Sequence, residues 1–393
     1  MLSAVAVEPE PRRYPFEPFT GELSPELLGM IETDPVSRVL LPDGEPAWLV
    51  LDYAGCVKVL ADPRFSRVLH RPPPDHPPLR DLNQDGAAHA AVRRVGSRAF
   101  GGRRMAHYRP RVQALVDELV DAMIGGPRPA DLVSGLVAPL PLLVICEVIG
   151  VPAADREQFY GWLAGLNSVV DYNSVEAAKS LWVYLAGQLA AKRVEPGDDL
   201  LSVWLEGGDD HGLSDEEIIV LAMGLLRGGL EVGSTAAGVR VLFQHPEQLA
   251  ELVRSPEKVP AAVEEILRYT AVSSMFRVQV VTEDVTVGDV AMSAGDRVMA
   301  VPWVANRDPR VFSDPNVFDI ERVTRTAHLA FGYGPHFCLG TALARMEVEL
   351  SIATLLRRLP GLAPAIGVDE LPWRHDRING GIEEFPVVWR EDQ

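Results

Sequence analysis

Phe331-Gly332-Tyr333-Gly334-Pro335-His336-Phe337-Cys338-Leu339-Gly340 sets one cysteine among glycines, just ahead of an amphipathic segment over residues 341–359. Leu343, Met346, Leu350, Ala353, Leu355 and Leu356 fall roughly along one face of that segment, which predicts a helix. Cys338 therefore stands where a loop enters a helix. Unpaired backbone N–H groups and the positive end of the helix dipole gather at such a place. That environment favours a thiolate, which can act as nucleophile or metal ligand. The glycines let backbone crowd close to the sulfur. The plainer alternative is a small apolar residue in the core, the usual fate of an isolated cysteine.

Composition narrows the field. The chain has 393 residues, 47% of them hydrophobic, which is ample for a large core. Its formal charge of −18 argues against nucleic acid as a partner. Three cysteines, Cys56, Cys146 and Cys338, lie far apart with no paired spacing, which argues against a disulfide framework and fits a reducing cytoplasm. The apolar stretch at the N-terminus stops at Val7, so no signal peptide is expected. The longest apolar run, residues 132–146, carries Pro139 and Pro141 and is shorter than the ~20 residues of a membrane helix. Residues 1–20 are rich in Pro and Glu and read as a surface arm.

The pattern Phe-Gly-x-Gly-x-His-x-Cys-x-Gly, filled by Phe331, Gly332, Gly334, His336, Cys338 and Gly340, resembles the haem-ligand loop of the cytochrome P-450 family. The resemblance implies one large, mainly α domain with small β-sheets over residues 21–393. It makes the Cys338 thiolate the axial ligand of haem b (iron protoporphyrin IX). It also implies a soluble bacterial enzyme, a monomer in the cytoplasm, that oxidises a small aromatic secondary metabolite. The enzyme would consume dioxygen and two electrons, the electrons coming from a ferredoxin and its reductase on separate chains. The chain itself shows no flavin or nicotinamide fingerprint and no iron–sulfur cysteine spacing.

Further markers follow in order. His89 and Arg93, four apart on one helical face, would read alone as a solvated basic face. The family carries His-x-x-x-Arg here on a haem propionate. Arg277 and His336 match two more propionate positions. Arg94, Arg98, Arg103 and Arg104 extend the basic run, as a docking patch for an acidic electron donor or as solvated charge. The prolines between Arg71 and Pro78 forbid regular helix, and the family places its loop over the haem there. Phe159, Tyr160, Trp162, Leu166 and Asn167 lie on a helix that in the family roofs the pocket, and Ser273 to Phe276 would line its edge. Glu265 and Arg268 are three apart and can pair; the family adds an Arg from a later meander, and Arg322 fits.

Ser214 and Glu217 form a capping box that opens a long apolar helix. Its continuation, Gly228-Gly229-Leu230-Glu231-Val232, resembles the family's oxygen-binding helix motif, with Glu231 as the proton relay. Val232 stands where an alcohol is expected, and valine neither donates nor accepts. Ser234 or Thr235 could substitute if the helix kinks. Members of the family that couple aromatic rings, including ones acting on cyclic dipeptides, also lack an ordinary alcohol. This favours oxidative C–C or C–N coupling over hydroxylation. A non-catalytic haem-binding protein is the alternative from another class. His328 is read as a loop or packing residue.

Overall fold

The computed structural model describes residues 12–17, 20–68, 79–166, 173–206, 212–229, 233–270, 277–374 and 381–390. Most of them are helical, with small sheets at one side. The largest sheet orders its strands Arg12–Arg13, Val36–Leu40, Pro46–Val50, Arg297–Ala300, Gln279–Val281 and Phe65–Ser66. Pro46–Val50 runs parallel to Arg297–Ala300, with Trp48 opposite Val298, so segments some 250 residues apart share one ladder. The arm is tied in at its end: Arg12–Arg13 pairs with Val39–Leu40, and Tyr14 is buried.

The main apolar core lies among the helices Gly102–Gly125, Pro139–Ile149, Asn173–Val194, Leu200–Leu205 and Asp215–Gly228. Burying one Leu or Val side chain in such a core contributes about 1.5–3 kcal/mol. The Asp215–Gly228 helix opens on the expected box: the Ser214 hydroxyl accepts from the Glu217 N–H, and the Glu217 carboxylate accepts from the Ser214 N–H. Arg80 clamps the same Glu217 at 2.6 Å, fastening the far end of the proline-rich segment to this helix. By composition residues 215–244 could cross a membrane, but Ile218, Leu221, Ala222, Leu225 and Leu226 are core residues.

The prolines of 139–141 lie in the first turn of the Pro139–Ile149 helix, where proline is tolerated, directly after the π-helical turn Val133–Val137. Pro110 is the exception, lying within Gly102–Gly125. The helix carrying Phe159, Tyr160 and Trp162 runs Arg156–Leu166 among the described residues, and the cysteine helix is Thr341–Arg358.

Behind the cysteine loop, Val259–Tyr269 packs against Thr341–Arg358. Glu265 and Arg268 are almost wholly buried and paired through two 2.7 Å contacts. Arg322 reaches the same carboxylate at 3.1 and 3.2 Å, and the Asp319 N–H donates to it at 3.0 Å. Arg268 also donates to the carbonyls of Asn306 and Pro315. The trio thus knots a helix to the meander that precedes the loop.

Candidate haem-thiolate site

The cysteine loop is held by its backbone. The Cys338 N–H donates to the Phe331 carbonyl at 2.9 Å, closing the loop on itself. The Thr341 hydroxyl donates to the Cys338 carbonyl at 2.7 Å, and Gly340 caps the helix. Gly332 and Gly334 have φ of 73° and 71°, the left-handed region where a side chain is strained. At Gly334 a Cβ would also lie 2.7 Å from the Leu60 carbonyl oxygen and 2.9 Å from the Ala61 Cα. We expect Gly334→Ala to destabilise the protein by about 1–3 kcal/mol. Thermal unfolding checks this: an unshifted midpoint would mean that the end of the Tyr53–Ala61 helix can retreat.

Cys338 is exposed, whereas Cys56 and Cys146 are buried. Burial pushes the Cys146 thiol up to about 11, and the Cys56 thiol up as well, so neither is a reactive centre.

Phe331 is braced from behind. The Arg345 guanidinium lies 4.7 Å over its ring, and Arg345 in turn pairs with Glu264. Glu264 also meets His328 at 3.2 Å, giving that histidine the loop-supporting place read from the sequence. Burial opposes the charge of Glu264, but the contacts with His328 and Arg345 outweigh it and hold the carboxyl down at about 2. A lowered carboxylate stabilises above the ordinary value of 4.5 and loses that contribution as pH falls toward 2. Glu264→Gln should therefore be less stable than the parent at neutral pH, with the gap closing below about pH 4.5. Urea unfolding across this window checks it; a gap that widens on acidification contradicts the assignment.

On the other side of the loop cations gather with few acceptors. His89 is buried, and its ring lies 4.0 Å from the ring of His336. His336 meets Asp85 at 3.4 Å. Burial, then the charges of Arg67 and His89, push the His336 ring down to about 4. Burial, then Arg93 and Arg67, lower His89. Burial also lowers Arg93, against the pull of the nearby Cys338 sulfur. Arg277 is lowered by burial and then by the charge of Arg227. Arg67 is lowered to about 10 by burial, with Arg277 and Arg93 adding to it, and its Nε is buried with no hydrogen-bond partner.

The structure thus brings together His89, Arg93, Arg277 and His336 with Cys338, and sets Phe331 and Gly332 in the loop. Arg67 was not singled out by the sequence: it follows the Phe65–Ser66 strand, between Arg64 and Arg71, and no motif marks it. Glu231 and Val232 lie outside the described residues, as do residues 71–78, Asn167 and 273–276. Thr235 is buried and Ser234 half-buried in the Gly233–Gln244 helix. Of the basic run, Arg104 is paired with Asp198 and Glu206, and Arg98 donates to the Glu206 carbonyl, which leaves less of it free for a partner.

The Asp215–Gly228 helix supplies the facing wall. At Gly96 a Cβ would meet Leu339 at 2.9 Å and Leu221 at 3.5 Å, so the helix and the cysteine loop touch across Gly96. Gly224 and Gly228 continue the Leu221 stripe, and a Cβ at either would meet nothing within 4 Å. A bare glycine wall, an exposed thiol and a ring of cations with an orphaned guanidinium Nε suit a flat ligand bearing carboxylates and a thiol-seeking metal. These residues fit a haem.

Fold and site together define a haem-thiolate oxygenase. The cytochrome P-450 family model matches residues 257–361. The chain is 39% identical over 393 residues to nocardicin C N-oxygenase of Nocardia uniformis subsp. tsuyamanensis, covering 96% of this chain and 98% of that one. It is 39% identical over 395 residues to mycinamicin IV hydroxylase/epoxidase of Micromonospora griseorubida, covering 97% and 99%. Among solved structures, SgvP, assigned as a thioether synthase in griseoviridin tailoring, superposes with a TM-score of 0.87 at 36% identity, covering 97% of this chain and all of that one. The chain belongs to the cytochrome P-450 family and is an oxidoreductase with a haem-iron cofactor.

Proposed function

We propose that this protein binds haem b through Cys338 and oxidises an aromatic secondary metabolite, with coupling or ring closure as the outcome. The observation that carries the haem reading is the exposed Cys338 thiol beside a cation ring whose Arg67 Nε lacks a partner. When bound, the haem supplies dioxygen activation, and thiolate ligation favours O–O cleavage. Arg93, Arg277 and Arg67, with His89 and His336, would hold its two carboxylates. Phe331 and Gly332, braced by Arg345, keep the sulfur in place. Glu231 would hold a proton for the reaction, and Val232 could supply none.

Coupling removes two hydrogens from the substrate and, with O₂, two electrons and two protons, yields two waters. Hydroxylation with the same inputs adds one oxygen and yields one water. The missing alcohol supports coupling, and so does likeness to a protein assigned to thioether synthesis. Likeness to a hydroxylase/epoxidase supports the second reading, hydroxylation of a natural-product scaffold. Aromatic cyclic dipeptides are the substrate class we would try first. Electrons come from a ferredoxin and its reductase, and the enzyme works as a cytoplasmic monomer with its haem domain over residues 21–393. The formal charge of −18 and the scattered cysteines support that setting.

The test is turnover with ferredoxin, reductase and NAD(P)H over a panel of aromatic cyclic dipeptides, read by product mass. A loss of two hydrogens supports coupling and a gain of one oxygen supports hydroxylation. No turnover of any panel member would shift weight to a haem-binding protein without catalysis.

A further inference from the structure

We infer that Asp85 is a positioning residue for the haem: its carboxylate orients the His336 ring for a haem carboxylate. The inference rests on the haem reading above and adds a residue that acts through a histidine. Asp85 stands at the N-cap of the Gly86–Arg98 helix. An aspartate there ordinarily accepts from a backbone N–H of the first turn. Asp52, Asp199 and Ser214 do so at the starts of their helices, but Asp85 makes no such bond. Its carboxylate turns away from the helix instead. Oδ2 accepts from the Ser66 hydroxyl at 2.5 Å, and Oδ1 meets the Arg67 N–H and the His336 Nε2, each at 3.4 Å.

Two plainer roles compete. As a cap, Asp85 would stabilise the helix, but the cap bond is absent. As a tie, it would join Ser66 and Arg67 to the start of the helix. That accounts for Oδ2 and for the Arg67 N–H, but not for the histidine on Oδ1. The His336 ring is gripped twice from this one helix. The His89 ring, one turn on, lies against it with centroids 4.0 Å apart and planes tilted by 34°, and Asp85 holds its edge. Face and edge contacts together fix the plane and the rotation of the ring, whose side chain is 9% exposed. An ionised carboxylate only accepts, so Nε2 carries the hydrogen and Nδ1 is left for the ligand. A second ring hydrogen, or a water donating to both, then joins Nδ1 to a haem carboxylate.

Haem transfer to apomyoglobin from the loaded full chain tests this without turnover. Asp85→Ala and His336→Ala should each speed haem loss about tenfold, as loss of a partner behind a ligand does. The double variant should match His336→Ala within about twofold, because Asp85 acts through that ring. Asp85→Asn keeps an oxygen for Nε2 and should lie between the parent and Asp85→Ala. Ser66→Ala cuts the tie alone and should lose haem at the parent's rate. Rates that multiply in the double variant, or Ser66→Ala losing haem as fast as Asp85→Ala, would reduce Asp85 to a tie and overturn the inference. So would an Asp85→Ala protein that keeps haem like the parent. A second measurement needs no change at Asp85 and stands even if its variants fail to fold. In imidazole-nitrogen NMR of the haem-free parent, the signals that His336→Ala removes should be those of a ring with its hydrogen on Nε2; hydrogen on Nδ1 alone overturns the inference. If the parent takes up no haem, the haem reading itself fails, and the two failures stay distinct.

Discussion

Cys338→Ser should lose the carbon-monoxide band for which the family is named and turn over no substrate. A serine hydroxyl does not ionise near neutral pH, so the replacement removes the anionic sulfur while changing one atom. The loop should survive it. Its closing bonds, Cys338 N–H to Phe331 carbonyl and Thr341 hydroxyl to Cys338 carbonyl, use backbone atoms of residue 338. Circular dichroism and thermal unfolding of the haem-free protein should therefore match the parent. A second readout needs no turnover. In the haem-free protein iodoacetamide should label Cys338 and spare Cys56 and Cys146, which are 0% exposed. Haem loading should protect Cys338. A serine variant that keeps the band, or a loaded protein that still alkylates at 338, would falsify the ligand assignment.

Glu265→Ala should cost about 3–5 kcal/mol, the range found on breaking a buried ion pair. The Glu265 side chain is 3% exposed and neutralises two arginines, Arg268 at 2% and Arg322 at 10%. Removing it strands both charges and frees the Asp319 N–H. Carbonyls of Asn306, Pro315 and Val317 would still accept from Arg268, but none carries a negative charge. Since total stability of a domain is typically 5–15 kcal/mol, the loss should show as little folded protein and weak haem retention. Glu265→Gln keeps the shape and should sit between the two. Equilibrium unfolding of both variants checks the order; a Glu265→Ala protein as stable as the parent would show that water reaches the trio.

The cysteine loop was legible because its information is local. Ten consecutive residues set the turn glycines, the sulfur and the helix that follows. The Ser214–Glu217 box was legible for the same reason. The Glu265–Arg268–Arg322 knot needed the family resemblance for its third member, because nothing local marks Arg322. Arg67 went unseen. Its neighbours Asp85, Arg93, Arg277 and His336 come from segments that periodicity cannot relate to one another. The same limit applies to the Arg94–Arg104 run. A run of arginines reads as a free patch until the fold brings Asp198 and Glu206 beside Arg104. Pro110 inside a helix is a further case, since tertiary packing can absorb a proline that local rules would treat as a break.

The meeting of Gly96 with Leu339 has a consequence for biosynthesis. Gly96, on the Gly86–Arg98 helix, is made 243 residues (339 less 96) before its partner Leu339. At roughly 5–20 residues per second, that is on the order of 12–50 seconds. Throughout that interval the face of the early helix at Gly96 lacks Leu339. Chaperone supply should raise the yield of cofactor-competent protein more than added haem precursor does.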